Sequence, residues 1–273
     1  LSSYIYLTYK FVAVGLKSSY QFKKSFFIGV GAMFVNDFFL FGIWVIFFAK
    51  FKTVNGWTFE NTKILFTTLI LAFSFAIIFF SGVMRIAERI SRGKVDTYLT
   101  QPKSVLFRLL TDDFQLSVFG DFLFGLGMLG YMAVKYGYSN LFYIPFASIF
   151  YGWGIVVTAG TFALIGFWIK KFDSAAVNFF WTLDTPSMYP QNSITGGIRI
   201  MFFTVVPSFW YINFSYKFVK YHSFSMIAVV IAYDIIMTGL MVVMFKSGLK
   251  KYESGNAIST NDFSGNTIFM IQI

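Results

Sequence analysis

Cysteine is absent from the sequence, and histidine occurs once, at His222. Without thiols there is no disulfide framework, no thiolate nucleophile and no sulfur-ligated zinc. A single imidazole also removes most histidine metal sites, among them the H-E-x-x-H helix of metal-dependent membrane proteases. The phosphate loop G-x-x-x-x-G-K-S/T occurs nowhere, so the chain has no Walker-type ATP site of its own. Charge is scarce as well: 12% of the 273 residues are charged, about half the share of an ordinary soluble domain. What fills the sequence instead is apolar, with 57% hydrophobic and 22% aromatic residues. Such a chain cannot cover itself with polar surface, and a bilayer is its matching solvent.

A helix needs roughly 20 apolar residues to cross a hydrocarbon core of about 30 Å. Phe26 to Ala49, Ile64 to Met84, Phe114 to Val134, Leu141 to Ile169 and Phe224 to Phe245 each meet that length. Between the last two, Ala175 to Tyr216 is apolar but interrupted by Pro186, Pro190 and Pro207 and contains Arg199. One reading is a single span near Gly197 to Tyr216 after an interfacial helix. The other starts the crossing at Ala175 to Met188 and lets the remainder re-enter from the far side, with its broken backbone buried in protein or lining a wet cavity. Either gives one net crossing, so the expected fold is all-α, with about six transmembrane helices. Residues 1–25, which carry Lys10, Lys17, Lys23 and Lys24, read as an amphipathic interfacial helix rather than a cleavable signal. Residues 1–254 form one transmembrane domain in this reading, and 255–273 an exposed tail.

The net charge of +10 belongs to topology rather than to nucleic acid, because the basic residues lie between the apolar runs. With six crossings, fifteen of them fall on one side: those before the first span, Arg85 to Arg108, Lys170 and Lys171, and Lys246 to Lys251. Six fall on the other, Arg199 being unassigned. The positive-inside rule then makes both termini cytoplasmic. Trp44, Trp57, Trp153, Trp168 and Trp210 stand mostly near span ends, either as headgroup anchors or as helix-packing residues.

The segment Arg85 to Asp113 is the most informative. Arg85, Arg89 and Arg92 recur at helical spacing, extending the second span as a polar helix; Gly93 permits a turn, and Pro102 ends any helix before a short amphipathic one over Ser104 to Leu110. A charged loop of this kind either only fixes topology or docks a soluble partner. Arg92, Gly93, Asp96, Leu99 and Pro102 follow the pattern R-G-x-L/V-D-x-x-L-x-x-P, and Gly120, Asp121 and Gly125 follow G-D-x-x-x-G. In these runs the sequence resembles the membrane subunits of a bacterial ABC type-2 permease family. Tyr189-Pro190, Arg199, Val206-Pro207 and the ending Gly248 to Ser254 are similar to the family's later segments.

That resemblance implies the membrane-spanning permease of an ATP-driven exporter in the bacterial inner membrane. It implies a dimer, with itself or with a second permease, and a separate ABC ATPase subunit that binds the ATP and Mg. Residues 85–113 would be the coupling loop, with Arg89, Arg92, Gly93, Asp96, Leu99 and Pro102 meeting that partner.

Asp37, Asp121 and Asp234 fall inside expected spans. An ionised carboxylate at mid-membrane costs a few kcal/mol or more, so each either bonds neighbouring helices or lines a transport path for cations or protons, with Arg199 as a candidate partner. Glycines from Gly120 to Gly130 and from Gly152 to Gly166 fit close helix packing, a dimer seam or a hinge. A proton-coupled secondary transporter is the alternative function, although no internal repeat of the kind common in such folds is evident. Gly120-Asp121 and Tyr233-Asp234 have the reverse order of the intramembrane aspartyl protease motifs, which argues against an enzyme.

Overall fold

The computed structural model describes residues 23–54, 56–100, 104–189 and 196–252. The expected interfacial helix lies outside them except for Lys23 to Ser25, as do Pro102, Pro190 and the tail. Helix α1 (Lys23–Lys50) leads through a two-residue hairpin, Thr53–Val54 against Trp57–Thr58, into α2 (Phe59–Phe80). The Thr58 hydroxyl caps α2 by accepting from the Asn61 amide, and the Trp57 indole donates to Thr62 Oγ1 at 2.9 Å. Through a 3₁₀ turn (Ser81–Arg85), α2 continues into α3 (Ile86–Ser91), the polar extension that the arginine spacing predicts.

Two short helices follow, α4 (Asp96–Leu99) and α5 (Val105–Thr111), and then α6 (Phe119–Tyr136) and α7 (Asn140–Ala163), which a 3₁₀ turn prolongs to Phe167. The chain closes with α8 (Asp173–Asp184) and its 3₁₀ turn (Thr185–Met188), α9 (Gly196–Val205), α10 (Ser208–Tyr221) and α11 (Phe224–Leu249). Among the described residues, five helical segments are long and apolar enough to span: those built on α1, α2, α6, α7 and α11.

The core is the pairing of α2 with α7, onto which α11, α10 and α6 pack. Ser148 Oγ lies 3.0 Å from the Thr68 carbonyl across that pair. At Gly120 the α6 backbone comes so close to α1 that a Cβ there would stand 2.7 Å from the Phe34 amide nitrogen. The third span therefore needs glycine at this point.

Between the fourth and the last of these five segments the helical path is broken. Helix α8 and its turn cover about 26 Å, at roughly 1.5 Å per α-helical and 2.0 Å per 3₁₀ residue, most of a hydrocarbon core. They carry the chain from Asp173, beside Arg85, Arg92 and Asp113, to Tyr189, whose ring packs on Trp44. Yet Ser208 is back beside α8, its hydroxyl donating to the Leu183 carbonyl at 2.7 Å. From there α10 runs outward until Tyr216 meets Trp57 of the hairpin, 4.6 Å between ring centroids. Among the described residues, α8 runs from the loop end to the hairpin end and α10 starts beside Leu183 and leads back toward the hairpin, the course that the second sequence reading expects. Pro207 at the start of α10 sits where no helical amide is required. His222, with φ 53°, ends α10, and its ring stacks on Tyr143 at 4.0 Å. The only histidine is thus a packing residue at a turn.

Of the tryptophans weighed as anchors, Trp168 is substantially exposed. Trp57 is buried, Trp153 donates to Thr238 Oγ1 at 3.1 Å, and Trp210 packs edge-on to Tyr233. The latter three join elements rather than face headgroups.

Candidate functional site

Two sites emerge, a polar loop at the basic end of the bundle and a chain of cavities between α1, α6 and α8. The loop is tied from inside. Arg89 is buried, 8% exposed, and donates from Nη1 to the Leu109 carbonyl at 2.9 Å and from Nη2 to the Asp112 carbonyl at 2.5 Å. Its guanidinium also lies 5.6 Å from the centre of the Tyr98 ring, whose hydroxyl donates to Asp112 Oδ2 at 2.5 Å. Burial, and then this bond to a carboxylate, push the Tyr98 hydroxyl up to about 12. Gly93 turns the chain at φ 65°, a left-handed conformation in which glycine is least strained. From the last span, Tyr252 Oη accepts from the Val95 amide at 3.1 Å.

These contacts sort the residues that the resemblance assigns to docking. Arg89 faces inward, where it shapes the loop. Arg92 is exposed and pairs with Glu88 at 3.1 Å, Asp96 opens α4, and Leu99 stands 49% exposed at its end. Lys94, Thr97 and Thr100 are exposed around Leu99. The outer face is thus an apolar knob in a basic, hydroxyl-bearing collar, over an inner face of Val95 and Tyr98.

Three cavities follow one another through the bundle. The first, about 690 Å³, lies at the basic end between Arg85, Glu88, Asp113, Gln115, Asp173 and Trp181. The second, about 180 Å³, shares Gln115 and Trp181 with it and is bordered by Asp37 of α1, Asp121 of α6 and Asp184 of α8. The third, about 290 Å³, shares Leu40 and Met188 with the second and is walled by Trp44, Phe47, Trp57 and Tyr189. The series runs from the loop end to the hairpin end.

Asp37 and Asp121, picked out from the sequence, thus meet at one chamber. Asp234 does not: it is buried on α11, its Oδ1 2.6 Å from the Tyr211 hydroxyl, which also stands 2.8 Å from the Phe150 carbonyl. Arg199 lies on α9, exposed, and borders none of the three cavities. Asp184 and Gln115 escaped the sequence reading. The signal for Asp184 was a lone carboxylate in the apolar run before Pro186, inside the segment whose crossing was ambiguous. Since Asp121 and Asp234 occupy separate sites, no aspartyl dyad forms between them.

The described residues thus form a helical bundle with five candidate spans, a stapled polar loop at one end and three neighbouring cavities. Residues 33–256 match the family described as "ABC-2 family transporter protein". The chain belongs to that family and is a transmembrane permease of the ABC transporter class. No curated protein and no solved structure shows significant similarity to it.

Proposed function

We propose that this chain is the membrane half of an ATP-driven exporter, working as a dimer and energised by a separate ABC ATPase that receives the 85–113 loop on the cytoplasmic side. The observation that carries the reading is the loop itself, half-exposed Leu99 outside and Arg89 inside. A partner pressing on Leu99 and Arg92 pushes a rigid piece, because Arg89 joins the end of the second span to α5 at the entrance of the third. Tyr252 joins the same piece to the sixth. Closure of the ATPase would therefore tilt three spans together, two of which, α2 and α6, wall the acidic chamber. Export is supported by the wide vestibule at the basic end, which the charge distribution makes cytoplasmic.

The test is co-purification with a co-expressed ABC ATPase from the same genome. Replacing Arg92, Asp96 and Leu99 together, R92E with D96K and L99E, should abolish capture while the protein still inserts. Undiminished capture would move docking elsewhere. A second reading, proton-coupled transport without an ATPase, draws on the three carboxyl groups around one chamber. It predicts uptake driven by a pH gradient in vesicles that lack any nucleotide.

A further inference from the structure

Three carboxyl groups, from Asp37, Asp121 and Asp184, border one cavity of about 180 Å³ between three elements, and no lysine or arginine borders it. Like charges so placed repel, and inside a bilayer the cost of ionising each rises further. Helix-to-helix hydrogen bonding does not account for them. Asp37 is 6% exposed, and its Oδ2 has no hydrogen-bond partner. Asp121 Oδ1 and Gln115 Oε1, at the same chamber, are likewise buried and unpaired. Three acceptor atoms without donors are a site waiting for donors, since an unsatisfied buried acceptor is costly.

A compact metal ion is not what the spacing fits. Among the described residues no group of three acidic or histidine side chains stands close enough to hold one. An ammonium group reaches oxygens through N–H···O contacts of about 2.7–3.2 Å, longer than the roughly 2.0–2.6 Å of a calcium– or magnesium–oxygen bond, and so spans wider gaps. The neighbouring cavity, about 290 Å³, supplies the rest of the description: it shares Leu40 and Met188 with the chamber, and its walls are largely aromatic. Aromatic faces attract cations and pack flat apolar groups.

We infer that the Asp37–Asp121–Asp184 chamber and the aromatic cavity beside it form a binding site for an amphiphilic organic cation, ammonium head at the carboxylates and apolar body against Trp44 and Phe47. This rests on the permease reading and names its substrate class. The carboxylates supply the charge that draws the head from water, and the aromatic wall selects a flat body. Asp234, on α11 and bordering none of the three cavities, takes no part.

Binding can be measured on the full chain in nanodiscs of neutral phosphatidylcholine, without any ATPase, so that failure here is distinct from failure of ATP coupling. The probe is 1-naphthylmethylammonium, compared with 1-naphthalenemethanol, which has nearly the same shape and no charge. The cation should bind saturably and at least about tenfold more tightly than the alcohol, equivalent to about 1.4 kcal/mol. The D37N/D121N/D184N variant should lose that preference, and D234N should keep it. Because Asn is isosteric with Asp, matching size-exclusion profiles establish that the variants are folded. Equal binding of cation and alcohol, no saturable binding, or an unchanged preference in the triple variant would overturn the assignment. Cation-independent proton uptake that is lost in the triple variant would also overturn it, in favour of a proton site.

Discussion

Arg89 and Leu109, twenty positions apart, are joined by a 2.9 Å hydrogen bond from the guanidinium to the carbonyl, closing the polar loop on itself. The same side chain also serves the Asp112 carbonyl. Hydrogen bonds from a charged group contribute about 1.5–3 kcal/mol each. Arg89→Ala should therefore destabilise the protein by about 2–4 kcal/mol, less than the two bonds summed because water reaches the loop. Arg89→Lys should recover part of it, since an ammonium cannot reproduce the two-pronged geometry. Thermal unfolding of the two variants in detergent checks the order.

The loop should also respond to alkaline pH. Tyr98 is pushed up to about 12 by burial and by its bond to Asp112, against about 10 in an unfolded chain. A raised pKa means that the folded state holds the proton more tightly. The contribution is complete below about pH 10 and declines as pH rises toward about 12. Tyr98→Phe should flatten the fall in stability across that window, measured as the pH dependence of unfolding. An equally steep fall in the variant would place the titrating group elsewhere.

Tyr211 is predicted to matter more for stability than for ligand choice. Its hydroxyl carries one proton, yet it lies within bonding distance of both Asp234 and the Phe150 carbonyl. Asp234 Oδ2 is already without a partner. Tyr211→Phe would strip the remaining carboxyl oxygen as well, at a cost of about 1–3 kcal/mol. The unfolding temperature should fall while the cation preference of the acidic chamber stays as it was.

Gly120 tests the packing of the first span. A side chain at this position would collide with the α1 backbone at Val30 and Phe34, and backbone does not yield as a flexible side chain does. Gly120→Val should separate α1 from α6 and open the chamber that both border. Loss of a cross-link between cysteines placed at Gly29 and Ser117, where a Cβ on Gly29 would stand 3.6 Å from Ser117 Cβ, would report the separation.

Run length and charge were enough to read five spans, the polar extension of the second and the short helix after Pro102, because lipid imposes a minimum length and arginines at helical spacing need no tertiary information. The broken crossing was legible only as a choice between two paths. Three prolines mark where α8 to α10 break, but the direction in which the chain turns is fixed by Ser208 against Leu183 and Tyr216 against Trp57, contacts between distant residues. The acidic site was half legible. Asp37 and Asp121 stand out in apolar runs, whereas their convergence with Asp184 depends on how α1, α6 and α8 pack. Asp234 looked equivalent in sequence, but α11 holds it at a separate place, beside Tyr211. Arg89 looked like its neighbour Arg92, but burial gives the two opposite roles.

The central claim is that a separate ATPase seats the tip of the loop. The absence of cysteine allows a direct measurement, since Leu99→Cys introduces a single thiol at the exposed end of α4. With the proposed ABC ATPase partner co-expressed, a short bifunctional maleimide–amine reagent should join the two subunits at Leu99→Cys. It should fail at Val134→Cys, 78% exposed on α6 toward the opposite end. Equal yields at the two positions, or none at Leu99→Cys in a complex that still hydrolyses ATP, would contradict the account.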